Sequence, residues 1–191
     1  TFKQFLDIIS KDTFSEEELT KVFGLCFIKK DGNVHETPMM LPPSLDDLGQ
    51  PDYSVIDMLG YLKNGYSYRS QAKMQAPMTT RGCPYTCDFC SAPYLNGRGV
   101  RKHSLAYLKE LITNLYDNYG IRHFNIIDDN FTFDTHFAKG FCKMITDNKK
   151  RFKGITFGTP NGIRIERSDQ QLFYLLKAAG WSHLIVAPES D

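Results

Sequence analysis

The chain has 191 residues, 41% hydrophobic and 24% charged, and its 23 basic and 22 acidic side chains leave a formal net charge of +1. That composition fits one globular domain or one and a half, and it gives no electrostatic reason to expect nucleic acid or an anionic membrane as partner. With no long apolar run and no signal peptide at Thr1–Gln4, a cytoplasmic location is expected. Three of the five cysteines fall between positions 83 and 90, which excludes a secreted disulfide scaffold and points to metal in a reducing compartment.

Phe2, Phe5, Leu6 and Ile9 sit at helical spacing, so a helix opens the chain. Ser15 and Glu18 form a capping box ahead of a second short helix. Phe23 to Ile28 reads as a strand, and Asp31-Gly32 turns it back through Val34. Cys26 on that strand is expected to be a small buried hydrophobe. Pro38, Pro42, Pro43 and Pro51 forbid regular helix, so residues 38–74 read as a linker with one helical turn near Ile56 to Leu62. The domain boundary is expected near residue 70.

Four strands then alternate with three helices. The strands are Ala76–Thr80, Phe124–Ile127, Ile155–Thr159 and Leu184–Ala187. Ser104 caps the first helix and Gly120 ends it, Asp134 starts the second, and Ser168 with Gln171 opens a third that closes at Gly180. This order implies parallel βαβ units, as part of a barrel or of an open sheet. The chain starts at Thr1 inside an amphipathic pattern and stops at Asp191 straight after a strand, so it reads as a segment of a longer protein.

Cys83-Pro-Tyr-Thr-Cys87-Asp-Phe-Cys90 is the sharpest motif. Three thiolates on one loop suit zinc or an iron–sulfur cluster. A four-iron cluster needs four ligands, so three would leave one iron open to a ligand that is not protein. A structural zinc site wants a fourth Cys or His. Cys142 lies on an amphipathic helix and belongs to the core, and His103 is the one nitrogen nearby.

The CxxxCxxC spacing, with Phe89 before the last cysteine and Thr80-Arg81-Gly82 ahead of the first, resembles the radical S-adenosylmethionine (SAM) superfamily. The resemblance implies that Cys83, Cys87 and Cys90 hold a [4Fe-4S] cluster, that SAM chelates the fourth iron, and that Phe89 lies against its adenine. It implies an α/β fold, a partial parallel (β/α) barrel with about four of six strands. It also implies reductive cleavage of SAM to a 5′-deoxyadenosyl radical that abstracts hydrogen from a substrate. Asp128 and Asp129, ahead of Asn130, end the second strand where similar proteins hold the cofactor's ammonium. Glu189 follows the fourth strand in a Glu-Ser pair that is similar to one reaching the cofactor's ribose. Arg164 can meet the cofactor's carboxylate or pair with Glu166 in solvent, and is not counted as a site residue. The basic run Arg98, Arg101, Lys102 and His103 reads as a solvated stretch before the Ser104 cap.

Residues 1–37 resemble the tail of the cobalamin-binding domain that precedes many radical SAM barrels, with 38–74 as linker and 75–191 as the radical SAM core. The part of such a domain that carries cobalamin lies outside this chain. The resemblance thus implies cobalamin as a further cofactor, with methyl transfer from it as one outcome. A small-molecule substrate and an electron donor such as flavodoxin or ferredoxin are the implied partners. A methylthiotransferase would carry three further cysteines upstream, where only Cys26 stands. A zinc-binding interaction module and a bare electron-transfer cluster protein are the remaining readings.

Overall fold

Short apolar strands followed by capped amphipathic helices organise most of the chain. The computed structural model describes residues 2–42, 44–64 and 74–186. Contacts divide it into two units, Thr1–Pro42 and Pro43–Asp191.

In the first unit, helices α1 (Phe2–Ile9) and α2 (Glu16–Thr20) precede an antiparallel hairpin of β1 (Cys26–Ile28) and β2 (Val34–Glu36). The capping box is present: the Glu18 amide donates to Ser15 Oγ, and the Ser15 amide donates to the Glu18 carboxylate at 3.0 Å. β1 is shorter than expected because Gly24 turns the chain at a φ of 66°. Cys26 is exposed rather than buried. Phe27 takes the inward face of the ribbon, with its ring edge-on to His35, and the alternation of a strand turns Cys26 outward.

In the second unit, short 3₁₀ turns and α3 (Met58–Asn64) lead to a parallel sheet of order β3–β6–β7–β8. Its strands are β3 (Met74–Gln75), β6 (His123–Asn125), β7 (Thr156–Ile163) and β8 (Trp181–Val186). A separate antiparallel ribbon joins β4 (Thr80–Arg81) to β5 (Arg101–Lys102). The expected first strand, Ala76–Thr80, is therefore displaced: the sheet strand ends at Gln75, residues 76–79 belong to no strand, and Thr80 joins the ribbon. Pro77 has no amide to give a ladder, and the Thr79 amide donates to a side chain instead. The short helix α4 (Ala92–Asn96) lies between the two ribbon strands in sequence.

The longer helices are α5 (Leu105–Tyr119), α6 (Thr135–Asp147) and α7 (Gln170–Ala179). Ser104 caps α5 and Asp134 caps α6, as expected, while α7 is capped by Asp169 rather than Ser168. The Asp169 carboxylate accepts the Leu172 amide at 2.7 Å, whereas Ser168 closes the preceding 3₁₀ turn. Gly120 and Gly180 end their helices in left-handed geometry. No helix among the described residues is long and apolar enough to cross a membrane.

The core lies between the helices and one face of the sheet. Phe157 stacks on Phe124 and on Trp181, and Phe141 of α6 meets Phe157 edge-on. Cys142 is fully buried beside them, where burial pushes its thiol up to about 12. Strand alternation puts His123 and Asn125 on the opposite face. There His123 is buried and burial lowers its pKa; its Nε2 lies 3.1 Å from Asn125 Oδ1 and its Nδ1 lies 2.8 Å from Thr156 Oγ1.

Gly158 leaves the space that the His183 ring fills. Gly158→Ala would drive a methyl into that ring and bring it within 2.7 Å of Asn125 Oδ1. We expect a cost of about 1–3 kcal/mol in chemical denaturation. A midpoint equal to that of the parent would mean that His183 swings aside freely.

Candidate functional site

The cysteine loop is closed at its neck. Thr80 pairs with Lys102 and Arg81 with Arg101, so residues 82–100 leave and return at one point. Gly82 adopts a φ of +98°, and a Cβ there would run into the Gly99 carbonyl. The three cysteines beyond it are free and half-buried. The Cys90 amide donates to the Cys87 carbonyl at 3.0 Å, which folds the second half of the motif into a turn. Arg101 donates to the Asn96 carbonyl at 2.7 Å and ties α4 to the neck.

The thiols line a cavity of about 220 Å³ together with Phe89, Asp129 and Arg164. Asn161 and Gly162, at the end of β7, complete one wall. Phe89 is 80% exposed at the rim. Burial pushes the Cys83 thiol up, and Asp129, Cys90 and Cys87 add to this against a hydrogen bond from the Tyr85 amide.

The two carboxylates at the end of β6 do different work. Asp128 is buried and accepts from the Thr79 amide at 2.6 Å, from the Thr79 hydroxyl, and from the Thr80 hydroxyl at 2.9 Å. Desolvation raises its pKa to about 6 in spite of those donors. Asp129 is half-buried and faces the cavity, where its Oδ2 accepts from the Gly82 amide and from Asn96, each at 3.0 Å. Of the expected cofactor-binding pair, Asp129 lines the cavity. Asp128 holds the segment that leads into the loop. The Asn161 side chain donates to the Ile127 carbonyl at 2.9 Å and joins the ends of β6 and β7.

Arg164 and Tyr85 complete the cavity, and neither was singled out as a site residue from the sequence. The Arg164 guanidinium lies 4.0 Å from the Tyr85 ring centroid, donates to the Cys87 sulfur at 3.5 Å and pairs with Glu166 at 3.0 Å. Tyr85 also accepts from Arg167 at 3.1 Å and meets the Phe133 ring edge-on. The available signals were an arginine after the third sheet strand and an aromatic between the first two cysteines.

Other candidates fall elsewhere. His103 stacks on Tyr107 and its Nδ1 lies 2.9 Å from Asp46, so it is committed to the start of α5. Lys102 pairs with Asp134, so part of the basic run anchors the structure instead of only being solvated. Glu189 lies outside the described residues.

Among the described residues, no three His, Cys, Asp or Glu side chains converge as the ligands of one metal ion. A cubane does not require convergence, because each thiolate meets a different iron. A set of three soft sulfur donors, with no fourth among them, suits such a cluster with one iron left open.

The model of the radical SAM superfamily matches residues 78–191, which include the cysteine loop, the sheet strands β6 to β8 and the cavity wall. The chain belongs to the radical SAM superfamily. An uncharacterized methyltransferase of Pyrococcus horikoshii is 34% identical over 133 residues, 69% of this chain and 27% of the relative. An anaerobic magnesium-protoporphyrin IX monomethyl ester cyclase of Rubrivivax gelatinosus is 26% identical over 171 residues, 88% of this chain and 29% of the relative. Among solved structures, the cobalamin-dependent SAM radical enzyme OxsB with aqua-cobalamin bound superimposes with a TM-score of 0.75 at 17% identity. That match covers 100% of this chain and 27% of OxsB. The chain thus spans about a quarter of the length of the proteins it matches.

The pKa of Asp128 gives a pH signature. Folding favours its protonated form, so its contribution to stability is full below pH ~4 and is lost as pH rises through about 6. The stability difference between wild type and Asp128→Asn should change across that window and flatten above it, as read by denaturant titration at each pH. A difference independent of pH would show that water reaches the carboxylate.

Proposed function

We propose that this chain forms part of the core of a radical SAM enzyme, with Cys83, Cys87 and Cys90 as ligands of a [4Fe-4S] cluster. The observation that carries this reading is the single cavity lined by the three free thiols, the Phe89 ring and the Asp129 carboxylate, within the stretch that matches the family. The chemistry the cluster supplies when bound is the one-electron reductive cleavage of SAM.

The chain's own residues supply placement and charge. The three thiols must lose their protons to become ligands, so assembly releases protons and is favoured by rising pH. Asp129 keeps a carboxylate at the cavity wall, where it would take the cofactor's ammonium in a charge-assisted contact. Phe89 offers an exposed ring to the adenine. Glu189 is assigned to the ribose from its sequence position alone.

The likeness to the P. horikoshii methyltransferase and the OxsB fold supports a cobalamin-dependent branch, with methyl transfer or a related radical reaction on a small molecule. Cobalamin would be held by a domain outside this chain. The electron would come from a donor such as flavodoxin or ferredoxin.

Anaerobic reconstitution should give about four irons per chain, with a reduced paramagnetic signal that changes when SAM is added. Cys87→Ala should abolish that signal, because two remaining thiolates cannot hold the cubane. Stoichiometric zinc with no response to SAM would overturn the proposal in favour of a zinc-binding module.

Asp129→Asn should weaken SAM binding by tenfold to over a hundredfold, the equivalent of about 1.5–3 kcal/mol for a charge-assisted contact, while iron content stays unchanged. Equal affinity in equilibrium binding would confine Asp129 to holding the loop.

A further inference from the structure

We infer that Arg164 is a positioning residue for the cluster, holding the Cys87 thiolate with its guanidinium and raising the cluster's reduction potential. The inference rests on the function proposed above and assigns this residue a role of its own within it.

The guanidinium is held in place by its neighbours. Its face lies over the Tyr85 ring, with 4.0 Å between Cζ and the centroid. Nη1 is held by Glu166 at 3.0 Å, and Nη2 reaches Cys87 Sγ at 3.5 Å. The ring sets the plane of the fork and the carboxylate occupies one end, which leaves the other end turned to sulfur. The Arg164 side chain is 20% exposed and that of Glu166 is 55% exposed. Water therefore screens the carboxylate more than it screens the cation, and the pair keeps a net positive field on the cavity side. Arginine suits this post because a planar, permanently charged fork loses little freedom on docking.

The consequence is electrostatic. One electron from a low-potential donor such as dithionite adds one negative charge to the cluster and its thiolates, and no bond forms or breaks. A fixed cation at hydrogen-bond distance from one ligand sulfur stabilises that added charge.

The test is an anaerobic redox titration of the reconstituted chain without SAM, following the reduced paramagnetic signal against solution potential. Arg164→Met should lower the reduction equilibrium constant about tenfold, which is ~59 mV for one electron. Arg164→Lys should fall between the two, because it keeps the charge but loses the fork. Glu166→Gln should move the potential up, because it removes a negative charge held 3.0 Å from the cation.

A wild-type chain that forms no cluster would sink the function proposed above. A wild-type cluster whose potential is unmoved by Arg164→Met, at equal iron content, would overturn this inference alone. If Arg164→Met fails to hold iron, Arg164→Lys and Glu166→Gln decide the matter. Unchanged potentials in both would reduce Arg164 to a packing role.

Discussion

Two adjacent carboxylates at the end of β6 hold the site together. In parallel α/β folds chemistry gathers at the C-terminal ends of the strands. Asp128 turns inward from that end and takes both threonines that precede the cysteine loop. Asp129 turns outward and takes the first amide of the loop and, through Asn96, the helix that follows the cysteines. The loop is thereby anchored to the sheet at its entry and at α4. Burying an unpaired carboxylate carries a large desolvation penalty, and the donors around Asp128 offset only part of it, as its raised pKa records.

The same arrangement gives the cavity two electrostatic sides. Asp129 from β6 lines it, and so does Arg164, which follows β7. The loop's sulfurs lie among them, one of them in contact with the cation. A zwitterionic ligand with an ammonium and a carboxylate matches such a field better than a ligand of one sign. The exposed ring of Phe89 adds an apolar edge to it.

Much of this was legible in the sequence because it is local. Serine and aspartate caps, terminating glycines and apolar spacing mark both ends of α5, the start of α6 and the end of α7, and the cysteine motif needs no tertiary context. The departures at the site depend on contacts distant in sequence. Thr80–Arg81 leaves the sheet for a partner more than a turn of the loop away, which no periodicity encodes. The roles of Asp128 and Asp129 diverge because one side chain faces Thr79 and the other faces the cavity, and adjacency in sequence cannot separate them. Tyr85 and Arg164 meet across the loop and the end of β7, so only the assembled sheet brings them together. Cys26 was misread for a simpler reason. A two-stranded ribbon has only one side to shelter, and Phe27 occupies it.

The clamp between Thr79 and Asp128 joins positions 49 apart, and the cysteines lie between them in the chain. During synthesis the thiols leave the ribosome well before the carboxylate that fixes their loop. Until then the contacts that can form within the motif are local, such as the turn from the Cys90 amide to the Cys87 carbonyl. Closing so long a loop is slow and entropically costly. The order of emergence therefore sets a maturation sequence in which the sheet must reach β6 before the three sulfurs share one fixed cavity. Under the proposed function, iron delivered after that point would meet a prepared site, and iron delivered earlier would meet three thiols not yet fixed by the sheet.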